Sequence, residues 1–106
     1  MSVTASLATE LSSSVDERAL AELAGKALEE GEEEQALPLV QRGAEQLSSA
    51  LLWQWKALLE RSLDEHELAL ASFAEAGRLA PADVSIAHGH ARTAMEAGLH
   101  ARPLYE

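Results

Sequence analysis

The stretch that decides the fold runs from Trp53 to Pro81. It begins Trp53-Gln54-Trp55-Lys56-Ala57, turns near Leu63-Asp64-Glu65, continues Ala69-Leu70-Ala71-Ser72-Phe73-Ala74-Glu75-Ala76, and ends at Pro81. Residues three and four apart share one face of a helix. Trp53 and Ala57 therefore stack on one helix, and Ala69, Phe73 and Ala76 on the next. A helical hairpin closes tightly only where its facing positions are small. Ala57 and Ala69 thus fall where the two helices approach, and Trp53 and Phe73 fill the space between them. Pro81 cannot continue a helix and ends the second one. Between them, Asp64-Glu65-His66-Glu67 reads as a capping box, with Asp at the N-cap and Glu three residues later.

Those six residues, Trp53, Ala57, Ala69, Phe73, Ala76 and Pro81, resemble the tetratricopeptide repeat (TPR), a helix–turn–helix unit of about 34 residues. Three positions depart from the family pattern. Lys56 stands where the family has Leu, Glu60 where it has Tyr, and Asp64 where a turn glycine is common. The resemblance implies an all-α, right-handed solenoid of antiparallel helix pairs, about two and a half units long. It also implies a concave binding face lined by the first helix of each pair.

Working outward, the same organisation recurs. Ala36-Leu37-Pro38-Leu39-Val40, Ala69-Leu70-Ala71-Ser72-Phe73 and Ala101-Arg102-Pro103-Leu104-Tyr105 start 33 and 32 residues apart. The small residues Ala24, Ala57 and Ala91 recur at 33 and 34, and Gly31, Asp64 and Gly98 mark the turns at the same interval. Helices are predicted over about 15–30, 33–47, 50–62, 65–79 and 84–97, with a sixth beginning near His100. Ser14-Val15-Asp16-Glu17 is a capping box for the first, whose apolar face is Leu20, Leu23, Ala24, Ala27 and Leu28. Gly31 and Gly98 end helices, Ser48-Ser49 supplies a turn and an N-cap, and Asp83 caps the fifth helix. Glu32-Glu33-Glu34 suit the positive end of a helix dipole, and Pro38 falls near the first turn, where a missing N–H costs little. Residues 1–14 are rich in Ser, Thr and Ala and form either a frayed tail or a short helix on the first unit. The repeat region spans 15–106 and stops inside its third unit without a polar cap, which reads as a piece of a longer repeat protein.

The 106 residues carry 18 Asp and Glu against 8 Lys and Arg, a net charge of −10, so a nucleic-acid partner is not expected. With no cysteine, neither a disulfide framework nor a thiolate metal site is available. No apolar stretch has bilayer-spanning length, and 1–14 lack the marks of a signal peptide. The cytoplasm is the expected compartment, and no membrane association or cofactor is expected.

Catalytic and metal motifs are not expected either. His88 and His90 stand two apart, which on a helix points them away from each other. No HExxH, Walker loop, dinucleotide-binding glycine run or nucleophile elbow occurs. The family geometry instead places Arg18, Gln54, Trp55, Leu58, Arg61, His88 and Arg92 on the concave face. Arg18, Arg61 and Arg92 would form a basic stripe suited to an acidic peptide or a carboxylate. The preferred reading is that the same arginines pair with neighbouring glutamates and keep the surface soluble.

These readings make the chain a non-enzymatic scaffold that docks a peptide segment or partner helix in its groove. The alternative is the N-terminal repeat region of a larger multidomain enzyme, such as a bacterial transferase, with catalysis beyond Glu106. An open solenoid end further predicts a homodimer through the C-terminal helices, joined over Ile86, Ala94, Met95, Leu104 and Tyr105.

Overall fold

The computed structural model describes residues 16–101, with side chains described for 16–98. Among the described residues there are five α-helices and no strand: α1 (Glu17–Glu30), α2 (Glu33–Leu47), α3 (Ala50–Ser62), α4 (His66–Leu79) and α5 (Val84–Ala101). Each helix packs against its chain neighbour, and α1 also packs against α3.

Local chemistry sets most of the boundaries. Asp16 caps α1 by accepting hydrogen bonds from the Arg18 and Ala19 backbone N–H groups at 3.0 and 3.2 Å. Gly31 ends α1 in the left-handed region, with φ of 72°, a conformation that costs glycine nothing. Ser49 caps α3, its hydroxyl accepting from the Leu52 N–H at 3.1 Å. The same hydroxyl donates to the Glu17 carboxylate and so ties the starts of α1 and α3 together. Asp83 caps α5 by accepting from the Ser85 and Ile86 N–H groups and from the Ser85 hydroxyl.

Four local expectations change. Asp64 is not an N-cap: it takes φ of 61° in the turn, which Asp tolerates better than most residues, and Glu65 precedes α4 without a side-chain cap bond. Pro38 is the sixth residue of α2, in its second turn, and leaves the Glu34 carbonyl without an i+4 donor. Gly98 does not end α5, which continues to Ala101 through Gly98 and His100, and Gly98 has no positive φ. A sixth helix starting near His100 is therefore excluded at that point; 102–106, like 1–15, lie outside the described residues.

The core has two parts. One joins Leu20, Leu23, Ala24 and Ala27 of α1 to Ala36, Val40 and Ala44 of α2 and to Leu52 and Leu59 of α3. The other joins Ala57, Phe73, Ala76 and Ile86 from α3, α4 and α5. Trp53 packs against both and bridges them. Ala57 and Ala69 are fully buried, as the hairpin requires. Two glycines do the same work unannounced. A Cβ on Gly43 would overlap Leu20 Cδ1 of α1, and one on Gly89 would lie 2.8 Å from two Phe73 ring atoms.

The inward positions of α1, α3 and α5 keep a constant interval. Leu20, Trp53 and Ile86, and then Ala27, Glu60 and Thr93, face inward at intervals of 33 residues. The position matching Ala24 and Ala57 is therefore His90, which stacks on Phe73 with ring centroids 6.3 Å apart, while Ala91 is exposed.

Candidate functional site

Helix α3 packs on α1 and is joined to α5 by side-chain hydrogen bonds. Trp55 of α3 stands against Gly25 of α1, where an added Cβ would meet the indole at 3.6 Å. Gln54 Nε2 of α3 donates to Ser85 Oγ of α5 at 3.3 Å. Farther along, the Arg61 guanidinium donates to the Glu96 carboxylate of α5 through Nε at 2.8 Å and Nη2 at 2.5 Å, a two-pronged ion pair. Each odd-numbered helix then contributes a wall to one cleft of about 410 Å³: Leu28 from α1, Leu58, Arg61 and Ser62 from α3, and Glu96 from α5. Asp64 and His66 close it at the α3–α4 turn.

The seven residues expected on the concave face divide. Leu58 and Arg61 line the cleft. Arg92 is exposed beside it, with Nε 3.9 Å from Glu96. Gln54 is engaged by Ser85, and Trp55 is half-buried against the first core part, no more open in class than the half-buried Trp53. Arg18 and His88 are exposed but outside the cleft lining. The stripe of arginines is interrupted by Glu96, to which both Arg61 and Arg92 turn. Its sequence signal was the i,i+4 spacing of Arg92 and Glu96. The Arg61 hydrogen bonds hold the Glu96 carboxyl below its usual range, helped by the charges of Arg61, Arg92 and His66.

The departures at Lys56 and Glu60 form a second polar cluster, sealed inside the α3–α4 hairpin. Lys56 Nζ donates to Glu60 Oε2 at 2.7 Å and to Ser72 Oγ at 2.9 Å, and Ser72 Oγ donates to Glu60 Oε1 at 2.6 Å. The three groups close a ring. Lys56 and Glu60 are 8% and 3% exposed, so the ring has almost no access to water. Lys56 Nζ also lies 5.4 Å from the centroid of the Trp53 ring.

At the far end, Ile86 is not on an open apolar face: it is 2% exposed, packed with Phe73 and Ala76. Met95 is 67% exposed, and Ala94 is exposed beside it. Leu104 and Tyr105 lie outside the described residues. Among the described residues, no group of three His, Asp or Glu is placed to hold a metal ion, and no helix is long and apolar enough to cross a membrane. No family model, curated protein or solved structure matches the chain significantly.

Proposed function

We propose that this chain is a right-handed solenoid of tetratricopeptide-like helix pairs, and that the face formed by α1, α3 and α5 docks a peptide segment or helix of a partner protein. The observation that carries the reading is the cleft, because the first helix of every pair lends it a side chain. The 33-residue recurrence of inward positions and the small residues at the α3–α4 contact support the repeat assignment. Leu28 and Leu58 give the cleft apolar walls, and Arg61, Asp64 and Glu96 add charged groups. Apolar contact surface with a few fixed polar groups is the usual make-up of a site that recognises peptides.

Site-specific photocrosslinking tests this without dismantling the fold. The crosslinking residue is placed at Leu58, which lines the cleft and is half-buried against the second core part, and circular dichroism checks that helix content is kept. A control goes at Arg42, which is exposed on α2. The expected result is a partner captured from position 58 and absent at position 42. Equal capture at both, or capture at 42 alone, refutes the groove.

A further inference from the structure

Glu96 occupies Arg61 in the way an incoming carboxylate would. The guanidinium presents two parallel N–H donors to it, at 2.8 and 2.5 Å, in the fork geometry by which Arg recognises carboxylates. The pair sits in the wall of an open cleft, its side chains 22% and 35% exposed. Glu96 also has a second cation within reach. Arg92, one turn earlier on the same helix, is 3.9 Å away and 63% exposed. A carboxylate that can move from one arginine to another leaves the first without becoming an unpaired charge itself.

We infer that Glu96 is a built-in competitor: an acidic side chain of a docked peptide displaces it from Arg61, and Glu96 moves onto Arg92. This rests on the groove reading above and names its ligand chemistry, an Asp- or Glu-bearing segment with apolar neighbours for Leu28 and Leu58. The exchange would also let a chain of net charge −10 accept an acidic partner. Asp64 in the cleft wall and the acidic groups elsewhere oppose association, while the exchange at Arg61 keeps the number of ion pairs constant. Binding is thereby selective for a segment whose carboxylate reaches Arg61 together with apolar contacts.

The test is a fluorescence-anisotropy titration with a labelled peptide of alternating Glu and Leu, blocked at both ends. Four proteins are compared: wild type, Glu96→Gln, Glu96→Gln with Arg61→Ala, and Arg92→Ala. Removing the competitor should tighten binding at least tenfold, and adding Arg61→Ala should erase that gain. Arg92→Ala should weaken binding several-fold below wild type, because Glu96 then has no second partner. Both Glu96→Gln proteins lack the α3–α5 ion pair, so the difference between them reports Arg61 and not a loosened helix. Circular dichroism checks that helix content matches.

Three outcomes overturn the inference. One is equal affinity, or no binding, for wild type and Glu96→Gln. Another is binding only by a Gln–Leu peptide with a free C-terminal carboxylate. The third is a Lys–Leu peptide that binds wild type and is lost in Glu96→Gln, which would make the cleft a cation site. Failure here with position 58 still capturing a partner leaves the groove intact and removes only the exchange. Failure of the crosslink removes both.

Discussion

Breaking the buried ring of Lys56, Glu60 and Ser72 one member at a time should be far more damaging than replacing it whole. In Glu60→Ala, the Lys56 ammonium stays in a site 8% exposed and retains the Ser72 hydroxyl and the Trp53 ring face but no counter-charge. Removing one partner of a buried ion pair costs about 3–5 kcal/mol, because the remaining charge has lost its water and gained nothing. That is a large part of the roughly 5–15 kcal/mol that holds a typical domain together. Lys56→Met should cost a similar amount by stranding the Glu60 carboxylate, which is 3% exposed. The triple variant Lys56→Met, Glu60→Met, Ser72→Ala has no charge to strand and similar volume. It should be as stable as wild type or more stable by about 1–4 kcal/mol. Urea unfolding followed by circular dichroism reads this directly. With a slope of about 1 kcal/mol per molar urea for a small protein, each single variant should shift the midpoint by roughly 3 M or fail to fold, and the triple should restore it. A Glu60→Ala loss under about 1 kcal/mol, or a triple variant less stable than either single, would refute the argument.

Three further outcomes follow from named contacts. Gly43→Ala drives a Cβ into Leu20 and should lose about 1–3 kcal/mol, whereas Gly25→Ala meets Trp55 at an ordinary 3.6 Å and should gain up to about 1 kcal/mol of helix propensity, both read by urea midpoint. Ser49→Ala removes the α3 cap and the donor to Glu17, and should lower stability by about 1–2 kcal/mol in the same assay. Glu96, Glu75 and Asp83 are held below their usual values of 4.5, 4.5 and 3.8 by hydrogen bonds from Arg61, Arg78 and Ser85 respectively. Their stabilisation is complete above those values and is lost as pH falls through the lower folded ones, so the Tm should hold from pH 7 to about 5 and fall below about 4; a Tm that rises on acidification would contradict the assignment.

Helix positions were legible in the sequence because local rules set them. Ser49 and Asp83 are caps that announce themselves, Gly31 takes the φ that glycine makes cheap, and Ala57 and Ala69 are small where two helices meet. Misreadings arose where one residue type fits two local roles. Asp64 can cap a helix or enter the left-handed region, and only the course of the turn decides. Gly98 can stop a helix, but it has no positive φ and α5 continues past it. For the cleft, helical phase identified Leu58 and Arg61 but not Glu96, because a partner 35 residues away depends on how α5 lies across α3. The ring was hidden for the same reason. Lys56 and Glu60 look like surface residues, and even their order is the weaker one for an exposed i,i+4 pair. The Ser72 hydroxyl, reached from the next helix, and the Trp53 ring beside Lys56 give them a reason to be inside.

Glu60 and Glu96 show how burial gives the same ion-pair chemistry two different uses. Glu60 shares α3 with its lysine, faces the hairpin interior and meets a hydroxyl that completes its coordination. Water cannot replace any member, so the ring can change only if α3 and α4 separate, and it serves to hold their register. Glu96 joins two helices whose ends are otherwise linked by Gln54 and Ser85, and it stands at a solvent-open cleft with a second arginine nearby. Exchange there would need only rotation of the part-buried Arg61 and Glu96 and the exposed Arg92 side chains, on a scale far below that of unfolding. The inward positions of α1, α3 and α5 recur at 33 residues. Thus Glu60 and Glu96 differ in role because one lies on the packed side of its helix and the other on the open side. That difference in phase separates an ion pair that fastens α3 to α4 from one that water can reach.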